Sequence, residues 1–297
     1  MEEARSQFPE LPLSRACDLL EMNRGSYYRA AGRAPAKEEP PSSPSQAAEG
    51  TALRDAIERI TLEFPAYGYR RVTAQLHRDG CGVNHKRVVR IMREESLLCQ
   101  LKRGWVRTTD SEHGYRVYPN LLKDAGWQKL TGINQAWAGD ITYIRLREEF
   151  VYLAVLLDAF SRRVVGWSLS PRIDAALVVS ALEKALLERE PKVGWIHHSD
   201  RGVQYACREY VDRVLQANGR ISMSAKGTPR DNAQVERFMR TLKQEEVYLD
   251  EYDGYPDSEQ GIGHFIEAVY NQKRLHSALG YRPPAEFEQL CAMGLLV

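Results

Sequence analysis

Three strand-like runs in succession constrain the fold of this chain more than any other feature of its sequence. They are rich in apolar, β-branched and aromatic residues, are joined by short polar turns, and span 135–146, 150–158 and 163–169. This spacing predicts an antiparallel meander. Helical and strand-like segments then alternate, at 174–189, 193–199, 204–217, 220–223 and 231–248. The order predicts an α/β fold whose mixed sheet carries helices on both faces.

Acidic residues interrupt this apolar pattern. Asp140 lies inside one strand-like run, Asp200 ends another, and Glu236 lies in the first turns of the predicted helix at 231–248. A carboxylate in an apolar strand is costly unless it is paired, hydrogen-bonded or bound to a metal. Asp158 occupies similar surroundings and could simply cap the turn that follows it. The residues alone therefore do not choose between Asp140 and Asp158.

Carboxylates from two strands and a helix can converge on divalent metal ions, which prefer hard oxygen ligands. Two such ions about 3.5–4 Å apart can clamp the attacking and leaving oxygens of a phosphodiester. Helical spacing also places Arg240 and Lys243 on the side of the helix that carries Glu236. This pattern indicates chemistry on nucleic acid. The alternative for Glu236 is an exposed glutamate near a favourable helix N terminus. We also expect Asp231 and Gln234 to form a capping pair.

Basic residues are concentrated before the strands. The chain has a formal net charge of +1, yet 51–107 holds 12 Lys or Arg against 6 Asp or Glu. Three helices are predicted there, the last capped by Asn84, with its apolar stripe opposite a basic side. The candidate DNA contacts are Arg70, Arg71, Lys86, Arg87, Arg90 and Arg93. The alternative is a basic surface helix that packs against the rest of the chain.

Composition shifts divide the chain into five predicted parts. Residues 1–30 fit a helix-turn-helix-like segment, and 31–50, rich in Pro, Ala, Ser and Glu, a flexible linker. A basic helical DNA-binding domain at 51–107 and a connector at 108–132 follow. The catalytic core is predicted at 133–290, with a final long helix at 258–276 stopped by Pro283-Pro284.

Several classes of protein are disfavoured. No apolar run approaches the roughly 18–20 residues that a membrane span needs. The five cysteines are scattered without a CxxC pair, which predicts neither a zinc site nor a disulfide framework and favours a reducing cytoplasm. Adjacent strand residues point to opposite faces, so His197 and His198 are not expected to chelate one ion.

Three sequence blocks resemble the catalytic blocks of bacterial insertion-sequence transposases of the IS-three group, which are relatives of retroviral integrases. They are WAGDITYI at 137–144, HHSDRGVQY at 197–205 and SMSAKGTPRDNAQVE at 222–236. The likeness extends to YGYRRV at 67–72, VNHKRV at 83–88 and YNQKRLHSALGY at 270–281, and thus covers nearly the whole chain from residue 11 onward. Thirty-five residues separate Asp200 from Glu236, which is the spacing of that group.

The resemblance implies an RNase H-like core with a DDE triad of Asp140, Asp200 and Glu236 that binds Mg²⁺, for which Mn²⁺ can substitute. It also implies that Lys243 contacts transposon-end DNA, with Asn232 in a supporting role. The implied partners are terminal inverted repeats, target DNA and a second protomer, in the cytoplasm and nucleoid of a bacterium. Two departures from the pattern, Ala138-Gly139 and Arg237-Phe238-Met239, leave the triad intact.

The implied function is metal-dependent nicking of the 3′ ends of the element, followed by strand transfer. In this group the catalytic protein is a second-frame product that frameshifting fuses to an upstream helix-turn-helix and zipper segment, so an upstream partner or fusion is expected. The main alternative is a DNA-binding regulator or a domesticated, inactive relative. A nuclease acting on RNA–DNA hybrids would share the fold but would not need the basic segment.

Overall fold

The computed structural model describes residues 44–99, 114–123, 126–225 and 228–296. The predicted helix-turn-helix-like segment at 1–30 lies outside these residues, as does most of the predicted linker. Contacts divide the chain into two units, residues 1–53 and residues 54–297. Of the first unit, only the start of one helix is described. The basic helices from residue 54 onward and the sheet therefore belong to a single unit.

Helix α1 spans Pro44–Glu63 and begins inside the stretch that composition predicted to be a flexible linker. That prediction is wrong for 44–50. Its residues include Ala47, Ala48 and Glu49, which favour helices. Pro44 stands in the first turn, where a missing backbone N–H is tolerated.

Helices α2 and α3 match the prediction closely. They span Tyr69–Arg78 and His85–Glu94. The Asn84 side chain caps α3 by accepting a hydrogen bond from the backbone N–H of Lys86 at 2.9 Å. The predicted apolar stripe of α3 is buried, and it consists of Val88, Ile91 and Met92. The opposite, basic side of α3 is exposed.

The five-stranded sheet has the order β3-β2-β1-β4-β5. Strands β1 (Ala136–Arg145), β2 (Phe150–Asp158) and β3 (Val164–Ser170) form the predicted antiparallel meander. Strands β4 (Ile196–Ser199) and β5 (Arg220–Met223) extend the sheet, β4 pairing parallel with β1 and β5 parallel with β4. This mixed sheet confirms the expected RNase H-like fold.

Helices cover both faces of the sheet. On one face lie α4 (Ala175–Arg189), α5 (Val203–Ala206) and α6 (Arg208–Gln216). On the other lie α7 (Ala233–Leu242), extended by π-helical residues Lys243–Val247, and α8 (Tyr255–His264), extended likewise by Phe265–Tyr270. Along β2, Leu153, Val155 and Leu157 belong to the core on the face covered by α7 and α8. Ala154 and Leu156 belong to the core on the face covered by α4, α5 and α6. No helix in the described ranges is long and apolar enough to cross a membrane.

Three predicted boundaries were wrong. Strand β4 starts at Ile196 rather than 193, because Gly194 turns the chain at a φ of 86°. The helix predicted at 204–217 is interrupted by Cys207, whose backbone is extended. The helix predicted to run to 276 ends at Tyr270.

A helix begins where the sequence predicted only a stop. Helix α9 spans Pro284–Ala292 and carries Pro284 in its first turn, a favourable position for proline. The chain between α8 and α9 is anchored by Asn271, whose side-chain amide donates to the backbone O of Val164 and accepts from its N–H, both at 3.0 Å. Asn271 and Val164 are distant in sequence, so the helical periodicity of the sequence could not predict their contact.

Candidate active site

Asp140 lies in the middle of the central strand β1, opposite Val155 of β2. It is partly buried, and its Oδ1 accepts a hydrogen bond from the backbone N–H of Ile141 at 2.9 Å. Burial raises the pKa of Asp140 well above its usual range, and the negative charges of Asp200 and Glu236 raise it further. The hydrogen bond from Ile141 and the charge of Lys243 act in the opposite direction.

Asp200 follows directly after strand β4, the parallel neighbour of β1. The pairing of β1 with β4 ends at Ala138 and His198, two residues before Asp140 and Asp200, and the charge of Asp200 acts on Asp140. The Oδ1 of Asp200 accepts from the backbone N–H of Gly202 at 2.9 Å, which fixes the turn into α5. Ligand sites in such sheets form at the carboxyl ends of strands, and Asp200 occupies such an end.

Glu236 lies in the first turn of α7, on its exposed side. The opposite side of α7 packs on the sheet as predicted, through the buried side chains Val235, Phe238, Met239 and Leu242. Burial raises the pKa of Glu236, Arg240 lowers it, and Asp200 raises it again. Each carboxylate of the predicted triad therefore lies within the electrostatic field of another.

Asn232 ties the start of the Glu236 helix to the strand of Asp140. It is buried, and its Nδ2 donates to the backbone O of Gly139 at 3.0 Å. The residue bonded on β1 is the direct neighbour of Asp140. Asn232 therefore positions α7 against β1, a function consistent with the supporting role that the resemblance implied.

The predicted capping pair of Asp231 and Gln234 is wrong. Asp231 instead accepts hydrogen bonds from the side-chain amide of Asn120 at 3.0 Å and from the backbone N–H of Ala225 at 3.2 Å. These bonds attach the segment before α7 to Asn120, which precedes the sheet, and to Ala225, which follows β5. The D-x-x-Q pattern at 231–234 predicted a cap at the start of α7. Both partners of the Asp231 side chain lie outside α7, so the pattern was misleading here.

Lys243 lies where α7 passes into its π-helical extension. Its Nζ is 4.4 Å from the ring centroid of Tyr143 on β1, within the range of a cation–π contact. Burial lowers the pKa of Lys243, and the charge of Asp140 raises it. Lys243 therefore stands beside the triad, whereas Arg240 is exposed on α7.

A cleft of about 980 Å³ begins beside the triad rather than around it. Lys243 and Ile141 line its near end, and the three carboxylates do not line it. Its walls carry aromatic and basic side chains, among them Tyr143, Arg145, Arg147, Phe150, Tyr152 and Tyr248, and also the acids Asp250 and Glu251. Such a surface can stack against bases and attract phosphates.

A layer of aromatic rings lies beneath the carboxylates, which sequence reasoning missed. His197 packs against Tyr205 and Tyr210, with ring centroids 5.6 and 5.1 Å away. A Cβ on Gly139 would lie 2.9 Å from His197 and 3.2 Å from Tyr205, so glycine makes room for these rings. The absence of a bulky residue before Asp140 was the available signal. Burial lowers the pKa of His197 to about 3, which keeps this layer neutral.

Asp158 and His198 both make structural hydrogen bonds. Asp158 accepts from the backbone N–H groups of Phe160 and Ser161, both at 2.9 Å, and therefore caps the turn after β2. His198 lies on the other side of β4 from His197, between the hydroxyls of Ser222 at 2.8 Å and Ser224 at 3.1 Å.

The candidate DNA contacts divide into exposed and structural residues. On α2 and α3 the exposed ones are Arg70, Lys86, Arg87, Arg90 and Arg93. Arg71 differs from them. Its Nε donates to the backbone O of Leu275 at 3.1 Å, and its guanidinium lies 5.6 Å from the ring centroid of Tyr67. Arg71 therefore packs within the protein, and its contact with DNA stays a prediction like that of the five exposed residues.

The donor set of the triad suits a hard divalent cation. Across the described ranges, no three His, Cys, Asp or Glu side chains lie close enough to ligate one ion together. The carboxylates nevertheless raise one another's pKa, so a cation between any two of them would relieve their repulsion. Carboxylate oxygens are the ligands that Mg²⁺ prefers.

Comparison with protein families matches two kinds of domain. Residues 49–105 match an HTH-like domain, and residues 131–229 and 218–284 match integrase core domains. The transposase for insertion sequence element IS904 of Lactococcus lactis is 36% identical over 245 residues, which cover 82% of this chain and 96% of that protein.

Two further relatives and two solved structures are also similar to this chain. The transposase InsF for IS3A of Escherichia coli is 39% identical over 232 residues, 78% of this chain and 80% of that protein. The IS600 31 kDa protein of Shigella sonnei is 34% identical over 275 residues, which cover 92% of this chain and 97% of that protein. A simian T-cell lymphotropic virus intasome gives a TM-score of 0.45 at 16% identity over 78% of this chain and 74% of that chain. The HTLV-2 integrase catalytic core domain in complex with magnesium gives a TM-score of 0.41 at 19% identity. The match covers 52% of this chain and 97% of that chain.

Proposed function

The chain belongs to the IS3-type insertion-sequence transposases, and we propose that it nicks and joins the ends of its own element at Asp140, Asp200 and Glu236. Transposases with an integrase core are polynucleotidyl transferases. The proposal adds the residues, the metal and the order of steps. The alternative of an inactive DNA-bound regulator shares the binding surfaces and is decided by experiment.

The mutual electrostatics of the three carboxylates support the proposal more than any other observation. Carboxylates from β1, the end of β4 and the first turn of α7 lie near enough to raise one another's pKa, although 95 residues of chain separate Asp140 from Glu236. A fold gains nothing in stability from gathering like charges. A clustered set of carboxylates with shifted pKa values beside a cleft is typical of a catalytic site.

The residues divide the chemistry among them. The carboxylates of Asp140, Asp200 and Glu236 would hold divalent Mg²⁺ or Mn²⁺, which when bound activates the attacking oxygen and neutralises charge on the phosphate. Lys243 binds the phosphate beside Asp140. Asn232 holds α7 against β1, so that the carboxylates keep their spacing. Positioning and charge stabilisation supply most of the rate enhancement.

Two displacements at phosphorus follow in order. In the first, water oxygen bonds to the phosphorus at the element end, the 3′-oxygen leaves, and a 3′-hydroxyl results. In the second, that 3′-oxygen bonds to a target phosphorus, and the target strand's own 3′-oxygen leaves. Each step breaks one P–O bond and forms one, with no covalent bond between protein and DNA.

DNA is the partner that the exposed cations fit. Lys86, Arg87, Arg90 and Arg93 on α3, with Arg70 on α2, would bind the terminal repeat, and Arg240 the DNA near the triad. The aromatic and basic cleft would receive the strand that continues past Lys243. We retain as proposals the domain limits 51–107 and 133–290, a pair of protomers that brings two ends together, an upstream-frame partner and residence on bacterial chromosomal DNA.

The proposal is tested by nicking of a labelled duplex that carries the inverted repeat flanking the gene. Purified protein should release a 3′-hydroxyl at the element end with Mg²⁺ or Mn²⁺, and EDTA should reduce product to background. A duplex with a scrambled repeat serves as the control. Nicking that persists in EDTA, or a covalent protein–DNA adduct, would contradict the proposed chemistry.

A further inference from the structure

Two adjacent residues near the C terminus contact both the basic helices and the helix that carries Glu236. Arg274 and Leu275 follow α8, and they meet Tyr67 and Arg71 on one side and Glu245 on the other. We call these five residues the joint. None of them belongs to the proposed catalytic site, and all lie within the unit formed by residues 54–297.

The basic helices bind Leu275 through both of its backbone polar groups. The Leu275 N–H donates to the hydroxyl of Tyr67 at 2.7 Å, and its carbonyl accepts from Nε of Arg71 at 3.1 Å. Tyr67 lies in the loop that joins α1 to α2. It is fully buried and stacks on Phe64, with ring centroids 4.4 Å apart. Two polar contacts around one buried backbone unit fix its position relative to α2.

The catalytic helix is bound by Arg274. Its Nε and Nη2 each donate to a different carboxylate oxygen of Glu245 at 2.7 Å, and both side chains are almost fully buried. Glu245 lies in the π-helical extension of α7, two residues after Lys243. A ring contact supports the same alignment, since Phe238 of α7 meets Tyr270 edge to face at 4.7 Å.

A buried ion pair contributes less to stability than its short distances suggest. The cost of desolvating both charges offsets much of their attraction, and well-packed apolar residues often replace such pairs without loss. A bidentate Arg–carboxylate pair does, however, fix the mutual orientation of its two partners. Its contribution here is therefore to orientation, at the point where α7 leaves the triad.

We infer that the joint holds the basic helices and the catalytic helix as one body, so that DNA bound by α3 presents one particular phosphodiester to the triad. The inference rests on the proposed function and deepens it. Tyr67, Arg71, Glu245 and Arg274 are then positioning residues. Their effect is on where and how fast DNA is cut, and not on how tightly it is bound.

The test compares two joint variants with two matched controls in the full chain. The variants are Tyr67→Phe, which removes the hydroxyl that accepts from Leu275, and the double replacement Arg274→Met with Glu245→Leu, which exchanges the ion pair for an apolar one. The controls are Tyr69→Phe, two residues from Tyr67, and Lys273→Met, whose Nζ pairs with Glu63 at 3.0 Å on the surface. For each protein, we would measure repeat binding, nicking rate, the position of the nick and a hydroxyl-radical footprint.

Both joint variants should bind the repeat within about twofold of the unsubstituted protein, yet nick about tenfold or more slowly and at several neighbouring phosphates. Their footprints should keep the part over the repeat and lose the part over the element end. The controls should match the unsubstituted protein. Nicking at a single position and normal rate with a full footprint would overturn the inference, as would equal losses of binding and nicking.

The footprint separates this inference from the proposed function. If the unsubstituted protein does not nick, the proposed function fails. A footprint that covers repeat and end, and that loses the end in both joint variants, would still support the joint. An unchanged footprint in the variants would reject it.

Discussion

Replacement of Glu236 by Gln is expected to lower nicking and strand joining by roughly 10²–10³-fold or more, the range typical for loss of a group that stabilises charge in the transition state. Gln keeps the size of the side chain and removes its negative charge. Glu236 lies on the exposed side of α7, so the core formed by Val235 and Phe238 is unaffected. The substituted protein should therefore fold normally and bind end DNA.

A matched control separates the role of Glu236 from a general effect of charge. Glu188→Gln removes the same charge from an exposed position on α4, on the opposite face of the sheet, and should leave both reactions unchanged. Nicking rates and end binding of the two variants, measured on one duplex, give the comparison. Full activity of Glu236→Gln would remove Glu236 from the catalytic site.

Replacement of Glu288 by Gln is expected to lower the free energy of unfolding by about 3–5 kcal/mol, the usual cost of breaking a buried ion pair. Glu288 of α9 is buried. It accepts from Arg189 at 2.8 Å, from Arg163 at 2.9 Å and from the hydroxyl of Ser161 at 2.6 Å. Loss of its charge leaves both guanidinium groups without their anion. Urea unfolding at pH 7 would measure the difference.

The contribution of Glu288 to the free energy of unfolding should also depend on pH. Burial alone raises its pKa, but hydrogen bonding and charge from Arg189, with Ser161 and Arg163, outweigh burial and leave the pKa lowered. The stabilisation is therefore fully present above the ordinary glutamate pKa of about 4.3, and is lost as pH falls through the lower folded value. The difference between the two proteins should shrink as the pH is brought below about 4.

Glu286→Gln is the control for this stability prediction. Glu286 lies on the same helix and pairs with Arg78 at 2.5 Å, but both side chains are about one-third exposed. Its loss should cost less than about 1 kcal/mol. Equal losses for Glu286 and Glu288 would show that burial of the Glu288 cluster does not govern stability.

The fold was largely predictable because its signals are local. Runs of apolar, β-branched and aromatic residues marked the strands of the meander, and the cap at Asn84 marked the start of α3. Two boundaries that failed depend on the backbone at single residues, Gly194 and Cys207, and other errors involve contacts distant in sequence. Asn271, directly after the last helical residue, bonds to Val164 of β3, and Asp231 bonds to Asn120 instead of capping α7.

The candidate site was predictable only in part from the residues themselves. Apolar surroundings singled out Asp140 and Asp158 alike, and the resemblance chose Asp140. The structure gives the physical difference, since Asp158 accepts hydrogen bonds from turn N–H groups, whereas the charges of two other carboxylates raise the pKa of Asp140. Charge counting could not tell Arg71 from Arg70, because only the fold buries one of them against Leu275.

Strand joining with a precut end tests the central claim most directly, because it needs neither the first hydrolysis nor any particular target sequence. A labelled duplex that already ends in the 3′-hydroxyl of the element would be mixed with plasmid, purified protein and Mg²⁺. The account predicts covalent joining of the labelled strand to plasmid DNA, no joining in EDTA, and none with Glu236→Gln. Tight binding of the precut end without any joined product, with Mg²⁺ or Mn²⁺, would contradict it.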